Sequence, residues 1–258
     1  MTMLKILNPY NAPVYHEETV TSTMDISRAL ASSGEPHGTV ITADFQGAGR
    51  GRIRDRSWQM EEKSGLPFTV LFRYPRVEEI PPALTLRVGL AVSLAIEDFA
   101  PSLKEKVMVK WPNDIMIHSK KVSGILCEAD GGTIHAGIGI NFSQKEFPAS
   151  LREKATSIAL AANACFTQAE RFYLLEKILI RLFDELEETK CDDENWKSRL
   201  EQRLYKKDEE VVFIEGAAGS GREVKGRLAG IGKSGELLIV PNGEIQPRSF
   251  ITGELTFL

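Results

Sequence analysis

The chain has 258 residues, 42% of them hydrophobic and 26% charged, which is the composition of a globular protein with room for one large domain or a large and a small one. Its 32 Lys and Arg residues against 36 Asp and Glu residues give a formal net charge of -4. The molecule as a whole therefore lacks the basic field of a protein that coats nucleic acid, and any anion site must be local.

The N-terminal stretch predicts neither a signal peptide nor a membrane anchor. "MTMLKILNPYNAP" lacks a long apolar core and a small-residue cleavage site, and no run approaches the roughly 20 apolar residues that span a bilayer. Neither the three cysteines nor the four histidines show the spacing of metal ligands. We expect a soluble cytoplasmic protein with free thiols and no structural zinc.

The first half of the chain alternates strand and helix signals. A short strand precedes "STMDISRALASSG", which predicts a helix that starts at Ser22 and stops at Gly34. "GTVITADFQ" and "LPFTVLFRY" are strands on either side of an arginine-rich loop, and "PPALTLRVGLAVSLAIEDFA" is an interior helix. Three further apolar segments, "KVMVKWPNDIMI", "KKVSGILCEAD" and "TIHAGIGINF", are separated by turn residues. They predict a meandering antiparallel sheet.

In the second half of the chain the sequence pattern changes from helical to strand-like near Lys207. Residues 167–190 carry apolar residues at helical spacing, with Thr167 and Glu170 as a capping box, and a short helix is expected over "DDENWKSRLEQRL". Beyond Lys207, short strands separated by glycine turns predict a small β-barrel. The prediction is an α+β fold with a mixed or antiparallel sheet in residues 1–207 and a small barrel in residues 208–258.

One glycine pattern is a phosphate-loop lookalike. "GIGKSG" fits G-x-G-x-x-G, but strand-like "ELLIV" follows it where a dinucleotide site requires a helix. We interpret it as a hairpin turn.

The loop "DFQGAGRGRIRDRSW" is a candidate anion site. Its glycines allow close approach of the backbone to a ligand, and arginine forks suit phosphate oxygens. Alternate residues of an extended segment point the same way, so its four arginines can converge on one anion. The alternative is a solvated basic loop.

Three shorter motifs are weaker when each is taken alone. "VKWPNDI" places a lysine and an Asn-Asp turn at a strand end, or is a turn with a core tryptophan. "KKVSGIL" sets Lys121 at the mouth of an apolar strand, where a lysine is more often an edge charge than a catalyst. In "GIGINF" the glycines predict close approach of a ligand or another backbone.

Taken together and in this order, these motifs resemble those of biotin protein ligases. The match consists of "TSTMD", "QGAGRGR" with a following Arg and Trp, "KWPNDI", "KVSGILCE", "GIGINF" and a C-terminal β module with "GELLI" and "GEIQPR". It runs from about residue 14 to the end of the chain. The resemblance implies the catalytic fold shared with lipoate ligases, followed by an SH3-like barrel.

The resemblance also implies an activity and its participants. Such enzymes make biotinyl-5'-AMP from biotin and ATP with Mg2+, then pass biotin to a lysine of a biotin carboxyl carrier domain. No direct metal cluster on the protein is expected, since Mg2+ comes with the ATP phosphates. The resemblance further allows a homodimer, while the missing winged helix argues against DNA as a partner and nothing points to a membrane.

The resemblance assigns roles residue by residue. The catalytic residues that it implies are Lys121, Arg52, Lys110 and Asp114. The residues that it places around biotin are Ser22, Thr23, Gln46, Gly49, Arg50, Arg52, Lys121, Gly124 and Gly137. Those that it places around ATP or the adenylate are Arg50, Arg52, Arg56, Trp58, Asn113, Lys121, Ile140 and Asn141.

The chain departs from the family pattern in three places. "GRGRIRDRSW" is one residue longer than usual and has Arg54-Asp55 in place of a single glycine, which puts the positions of Arg54 and Arg56 in question. "SGLPF" replaces Gly-Asn-Leu, and Met24 stands where asparagine is common. Two other functions remain open. One is a lipoate or octanoate ligase on the same fold, and the other is a nonenzymatic RNA-binding or adaptor protein that uses the arginine loop.

Overall fold

The computed structural model describes residues 1–52, 57–58, 61–187, 195–216 and 221–256. Its main feature is a sheet of eight strands with the order β1-β2-β3-β6-β10-β9-β8-β7. These strands are β1 Thr2–Met3, β2 Val14–Val20, β3 Thr39–Gln46, β6 Gly65–Arg73, β7 Val107–Lys110, β8 Asp114–Ile117, β9 Lys120–Asp130 and β10 Thr133–Asn141. Strands β2 and β3 are parallel and all other neighbours are antiparallel, so the sheet is mixed. The predicted meander from β7 to β10 is confirmed.

The arginine-rich loop connects β3 to β6, as predicted. A two-stranded hairpin, β4 Gly49–Arg50 with β5 Ser57–Trp58, forms within it, and Gly49 pairs with Trp58. Arg171 anchors the two ends of this connection. Its side chain is 1% exposed and donates hydrogen bonds to Asp44 of β3 and to the carbonyl of Gly65 at the start of β6. The Asp44 carboxyl is partly buried, which opposes its ionisation, but hydrogen bonds from Arg171 and His16 outweigh burial and lower its pKa.

The described residues form five α-helices, which cover the sheet and the space beside it. They are α1 Thr23–Ser32, α2 Leu84–Phe99, α3 Ile158–Ala162, α4 Gln168–Leu186 and α5 Asn195–Glu201. Ser22 is the N-cap of α1 and accepts a hydrogen bond from the Met24 N–H. Thr167 and Glu170 form the predicted capping box of α4. The part of the last predicted helix that precedes Asn195 lies outside the described residues.

Helix α2 corrects one prediction. The stretch Val77–Phe99 is long and apolar enough to cross a membrane by length and composition, whereas the sequence had suggested that no such stretch exists. Within it, 67% of its most apolar 18-residue window is nevertheless buried inside the fold. Several apolar residues of α2, among them Val88, Leu90 and Ile96, are fully buried in the core, where each such side chain contributes roughly 1.5–3 kcal/mol. Helix α2 is the interior helix that the sequence predicted.

The C-terminal strands form a separate antiparallel sheet with the order β14-β13-β12-β11-β15. They are β11 Glu210–Glu215, β12 Glu223–Ile231, β13 Leu237–Pro241, β14 Arg248–Phe250 and β15 Gly253–Thr256. Among the described residues the edge strands β14 and β15 do not pair with each other, so closure into a barrel is not confirmed. This sheet packs on the large one through Trp111, whose indole N–H donates to the Gly235 carbonyl at 3.0 Å and whose ring lies 5.9 Å from that of Phe213.

Candidate functional site

A cleft of about 1160 Å³ lies over the large sheet, between the start of α1, the β4–β5 hairpin, the β8–β9 region and strand β15. Most of the residues that the sequence singled out line it. They are Ser22, Thr23, Gln46, Arg50, Arg52, Trp58, Lys110, Asn113, Asp114, Lys121, Gly124, Gly137 and Asn141. Motifs that are up to about a hundred residues apart in the chain are therefore brought to one place.

Two predicted residues are not in the cleft wall. Gly49 is buried in the hairpin beside Gln46, and a Cβ there would lie 2.6 Å from Gln46 Nε2. Ile140 is fully buried in the hydrophobic core, because its side chain points to the other face of β10 from its neighbours Gly139 and Asn141. Arg56 lies outside the described residues.

One end of the cleft is a hydrogen-bonded polar corner made by Ser22, Thr23 and Gln46. The Gln46 side-chain oxygen accepts from the Thr23 backbone N–H at 2.9 Å and from the Thr23 hydroxyl at 3.1 Å. The Thr23 hydroxyl accepts in turn from Thr69 at 2.9 Å. The Ser22 hydroxyl caps α1, so the helix N-terminus with its partial positive charge faces this corner.

The centre of the cleft contains an ion pair. Lys121 Nζ lies 2.6 Å from Asp114 Oδ1, and neither side chain is more than about a third exposed, at 35% and 23%. Strands β8 and β9 bring them together, and the Lys121 backbone N–H is held by the Lys154 carbonyl at 2.8 Å. The Lys121 ammonium also lies 5.7 Å from the centroid of the Trp58 ring. The lysine is thus held over the cleft floor and is not a solvated edge charge.

Two arginines of the loop reach different walls. Arg50 makes two hydrogen bonds to the Asp25 carboxylate, at 2.6 and 3.2 Å, and this pairing raises the pKa of Arg50. Arg52 donates to the Gly253 carbonyl of β15 at 2.9 Å. The expected convergence of alternate arginines on one point is therefore not seen for Arg50 and Arg52, and Arg54 and Arg56 lie outside the described residues. The Arg50 guanidinium is hydrogen-bonded to the Asp25 carboxylate, and the Arg52 guanidinium to the Gly253 carbonyl.

The glycines of β9 and β10 form a flat floor. A Cβ at Gly139 would lie 2.6 Å from the Trp58 indole, and one at Gly124 would lie 3.3 Å from the same ring. At Gly137 a Cβ would meet the Met24 sulfur at 2.9 Å. The sequence predicted that a ligand or another backbone approaches the glycines of β10, but the groups that lie against them here are the side chains of Trp58 and Met24.

Two asparagines are fixed at the other side of the cleft. Asn113 follows a cis Trp111–Pro112 peptide and donates to the Ile125 carbonyl at 2.7 Å. Asn141 donates to the Thr156 carbonyl at 3.0 Å, and its oxygen accepts from Gln144 at 3.3 Å. Their amide groups therefore have defined orientations.

Sequence reasoning missed residues of the cleft wall and residues behind it. Asp25, the last residue of "TSTMD", and Thr69 do not line the cleft, but they bond to Arg50 and Thr23, which do. The C-terminal residues Glu254, Leu255 and Thr256 line the cleft although they lie more than a hundred residues after Asn141. Only tertiary packing brings them there.

Metal and thiol chemistry receive little support. In the described part of the chain, no three His, Cys, Asp or Glu side chains form a group that could hold a metal ion. Cys127 and Cys165 are free, as predicted, while Cys191 lies outside the described residues. Burial raises the pKa of the Cys127 thiol to about 11, which keeps it protonated and unreactive.

Comparisons with known proteins identify the family to which the chain is similar. Residues 17–144 match the biotin/lipoate A/B protein ligase family. The chain is 35% identical over 174 residues to the bifunctional ligase/repressor BirA of Bacillus subtilis, covering 65% of this chain and 51% of that protein. It is 30% identical over 145 residues to the biotin–[acetyl-CoA-carboxylase] ligase of Mycobacterium tuberculosis, covering 55% and 52%. The chain therefore spans about half the length of these curated relatives.

A solved structure matches over nearly the whole chain. It is the biotin protein ligase of Aquifex aeolicus in complex with biotin and ATP, with a TM-score of 0.79 and 30% identity. The match covers 94% of this chain and 97% of that one.

Proposed function

The chain belongs to the biotin protein ligase family, and from this premise we propose that it is an ATP-dependent biotin protein ligase. It forms biotinyl-5'-AMP from biotin and MgATP and transfers biotin to one lysine of a biotin carboxyl carrier domain. The observation that carries the proposal is the position of Lys121, fixed by Asp114 in a cleft between a polar corner and two oriented asparagines.

The polar corner is assigned to the ring end of biotin. A ureido group offers one carbonyl acceptor and two N–H donors, and Ser22, Thr23 and Gln46 supply hydroxyl and amide groups of both kinds. The side chains of Trp58 and Met24 lie over Gly124 and Gly137, so the bicyclic ring of biotin reaches this glycine floor by displacing them or binds against them. Backbone and side chains together thus fit a small, mostly apolar ligand with a polar end.

The central cations are assigned to the reacting groups. A carboxylate attacks the α-phosphate of ATP in the first step, and repulsion between two anions is the main obstacle. Lys121, Arg50 and Arg52 supply positive charge at fixed positions, which offsets this repulsion and stabilises charge that develops at phosphorus. Lys110, which also lines the cleft, adds to this field. No covalent bond to the protein is needed.

The asparagines and Trp58 are assigned to the nucleotide end. Asn113 and Asn141 have fixed amides there, while Ile140 takes part only through its backbone because its side chain is in the core. Magnesium enters as MgATP, bound by the phosphates. The second step, attack of the carrier lysine on the mixed anhydride, then depends on orientation and on exclusion of water. Asp114 is placed to order Lys121 or to accept a proton from the incoming amine.

The proposal extends to the organisation of the chain. We take residues 1–207 as the catalytic domain and residues 208–258 as an SH3-like module whose strand β15 completes the cleft wall. A homodimer and a cytoplasmic location belong to the same proposal. A lipoate or octanoate ligase is the alternative activity on this fold.

Exchange of radiolabelled pyrophosphate into ATP tests the first step. We expect exchange that depends on biotin and does not occur with lipoate or octanoate. Exchange with lipoate alone would replace the proposal by the alternative, and no exchange with any of the three acids would refute it.

A further inference from the structure

We infer that Thr69, which does not line the cleft, is a positioning residue that sets the affinity for biotin through Thr23 and Gln46. The inference rests on the proposed function. Thr69 lies in the middle of β6, is 0% exposed, and pairs with Ile41 of β3 on one side and Gly137 of β10 on the other. Its hydroxyl faces α1 and meets the Thr23 hydroxyl at 2.9 Å.

The direction of the first hydrogen bond is fixed by the backbone. A backbone N–H can only donate, so the Gln46 atom that lies 2.9 Å from the Thr23 nitrogen must be the side-chain oxygen. The Gln46 amide nitrogen, with two N–H donors, therefore points the other way. The missing side chain of Gly49 gives it room, since a Cβ at Gly49 would lie 2.6 Å from it.

The same oxygen fixes the Thr23 hydroxyl. That hydroxyl lies 3.1 Å from the Gln46 oxygen, which has only lone pairs to offer, so Thr23 must donate its hydrogen there. The Thr23 oxygen is left with lone pairs alone. It must accept the hydrogen of any hydroxyl beside it, and that hydroxyl belongs to Thr69.

The three side chains thus form a chain of hydrogen bonds with one direction, from Thr69 to Thr23 to Gln46. Its result is that the cleft presents amide N–H donors of Gln46, together with a Thr23 oxygen that acts as an acceptor. Both match the acceptor and donor groups of a ureido ring. The Thr23 oxygen is buried, so loss of the Thr69 donor would leave a buried acceptor without a hydrogen bond. This favours rotation of the Thr23 hydroxyl toward another partner.

Replacing Thr69 by valine removes the donor and keeps the shape. Thr23 is then free to rotate its hydroxyl away from Gln46, which keeps only the bond from the Thr23 backbone N–H, so the Gln46 amide is less firmly oriented toward the ligand. Loss of one neutral hydrogen bond of this kind corresponds to about a tenfold weaker binding. Because Thr69 does not touch the reacting atoms or the nucleotide end, kcat and the KM for ATP should stay near their wild-type values.

The chain offers a matched control in Thr42. This residue of β3 is also 0% exposed, but its hydroxyl donates to the Pro67 carbonyl at 2.8 Å and has no link to the cleft. Thr42→Val removes an equally buried hydroxyl from the same sheet. It should lower the free energy of unfolding without changing the KM for biotin.

The experiment measures biotin-dependent adenylate formation by the full chain and its Thr69→Val, Thr69→Ser, Thr69→Cys and Thr42→Val variants. We expect the KM for biotin to rise about tenfold in Thr69→Val and several-fold in Thr69→Cys, whose thiol is a weaker donor. It should stay near the wild-type value in Thr69→Ser. If Thr69→Val does not fold, Thr69→Cys decides the question.

A KM for biotin within twofold of wild type in the folded valine or cysteine variant would overturn the inference, as would an equal rise in Thr42→Val. Wild-type protein that forms no biotinyl-AMP overturns the proposed function, and the inference with it. Normal wild-type activity with an unchanged valine variant overturns the inference alone.

Discussion

Lys121 Nζ and Asp114 Oδ1 are 2.6 Å apart at the centre of the cleft, on neighbouring strands β9 and β8. The lysine comes from "KKVSGIL" and the aspartate from "KWPNDI", two motifs that were each ambiguous in the sequence. Their contact orients the Lys121 ammonium at the centre of the cleft. Lys121 is therefore the first residue to substitute in a test of the proposed function.

Lys121→Ala should lower adenylate formation by about a hundredfold to a thousandfold, since one preorganised group that stabilises developing charge is worth about 2.7–4 kcal/mol. Pyrophosphate release measures it. Lys120→Ala is the control, because Lys120 is the adjacent lysine but donates to the Arg152 carbonyl and pairs with Glu153 on the surface. Equal losses in the two variants would show that position 121 has no special role.

Asp25→Asn should strengthen retention of biotinyl-AMP. Asp25 holds the Arg50 guanidinium with two hydrogen bonds, and an anionic ligand must displace this carboxylate to use the arginine. Both side chains are about 40% exposed, so the pair is worth no more than about 1 kcal/mol, or roughly fivefold in affinity.

The half-life of the bound adenylate measures this effect. Glu79→Gln, which removes a surface partner of Arg76 elsewhere, should leave the half-life unchanged. A shorter half-life in Asp25→Asn would mean that Asp25 instead holds Arg50 where the ligand needs it.

Trp58 should report ligand binding by fluorescence. Its ring lies on the floor formed by Gly124 and Gly139, where the proposed ligand binds. Trp111 also borders the cleft but is only 3% exposed, and Trp196 is 2% exposed in the core. Biotin with ATP should therefore change the intrinsic emission of the wild type. The change should vanish in Trp58→Phe, and a signal that persists there would place the perturbed ring elsewhere.

Stability should depend on pH through His135. Burial lowers the pKa of this side chain, with the nearby Arg28 charge acting in the same direction, and the ring is hydrogen-bonded to Ser27 at 2.8 Å. The unfolded chain therefore binds the proton more readily, and the contribution of His135 to the free energy of unfolding is present above about pH 6.5 and lost as the pH falls below it.

Urea unfolding at pH 7.5 and at pH 5.5 measures this loss. The decrease should be smaller in His135→Gln than in the wild type, while exposed His118→Gln should behave as the wild type does. A decrease of the same size in His135→Gln would assign the effect to other groups.

The sequence predicted the elements that depend on local rules. The Ser22 cap of α1, the capping box at Thr167 and the meander from β7 to β10 all follow from side-chain hydrogen bonds and turn residues that act within a few positions. The motifs also predicted residues that line the cleft. They did not identify hydrogen-bond partners that are distant in the chain, such as Asp25 for Arg50 or Gly253 for Arg52, because the local sequence does not determine which groups the fold brings together.

The C-terminal region shows the same limit. Glycine turns predicted β11, β12, β13 and β15, whereas most of "GEIQPR" is not a strand and β14 begins only at Arg248. Pairing of the edge strands β14 and β15 depends on long-range contacts, and closure of a barrel is not seen among the described residues. The same holds for Ile140. The motif placed it at the ligand, and strand alternation sends its side chain to the core.

The central claim is that Lys121 and its neighbours activate biotin for transfer to a protein. The most direct measurement is intact-mass spectrometry of a biotin carboxyl carrier domain after incubation with the chain, MgATP and an equimolar mixture of biotin and lipoate. The proposed function predicts a gain of one biotinyl group on a single lysine, with no gain when Lys121→Ala replaces the wild type over the same time. An unmodified carrier, or one that gains a lipoyl group instead, would contradict it.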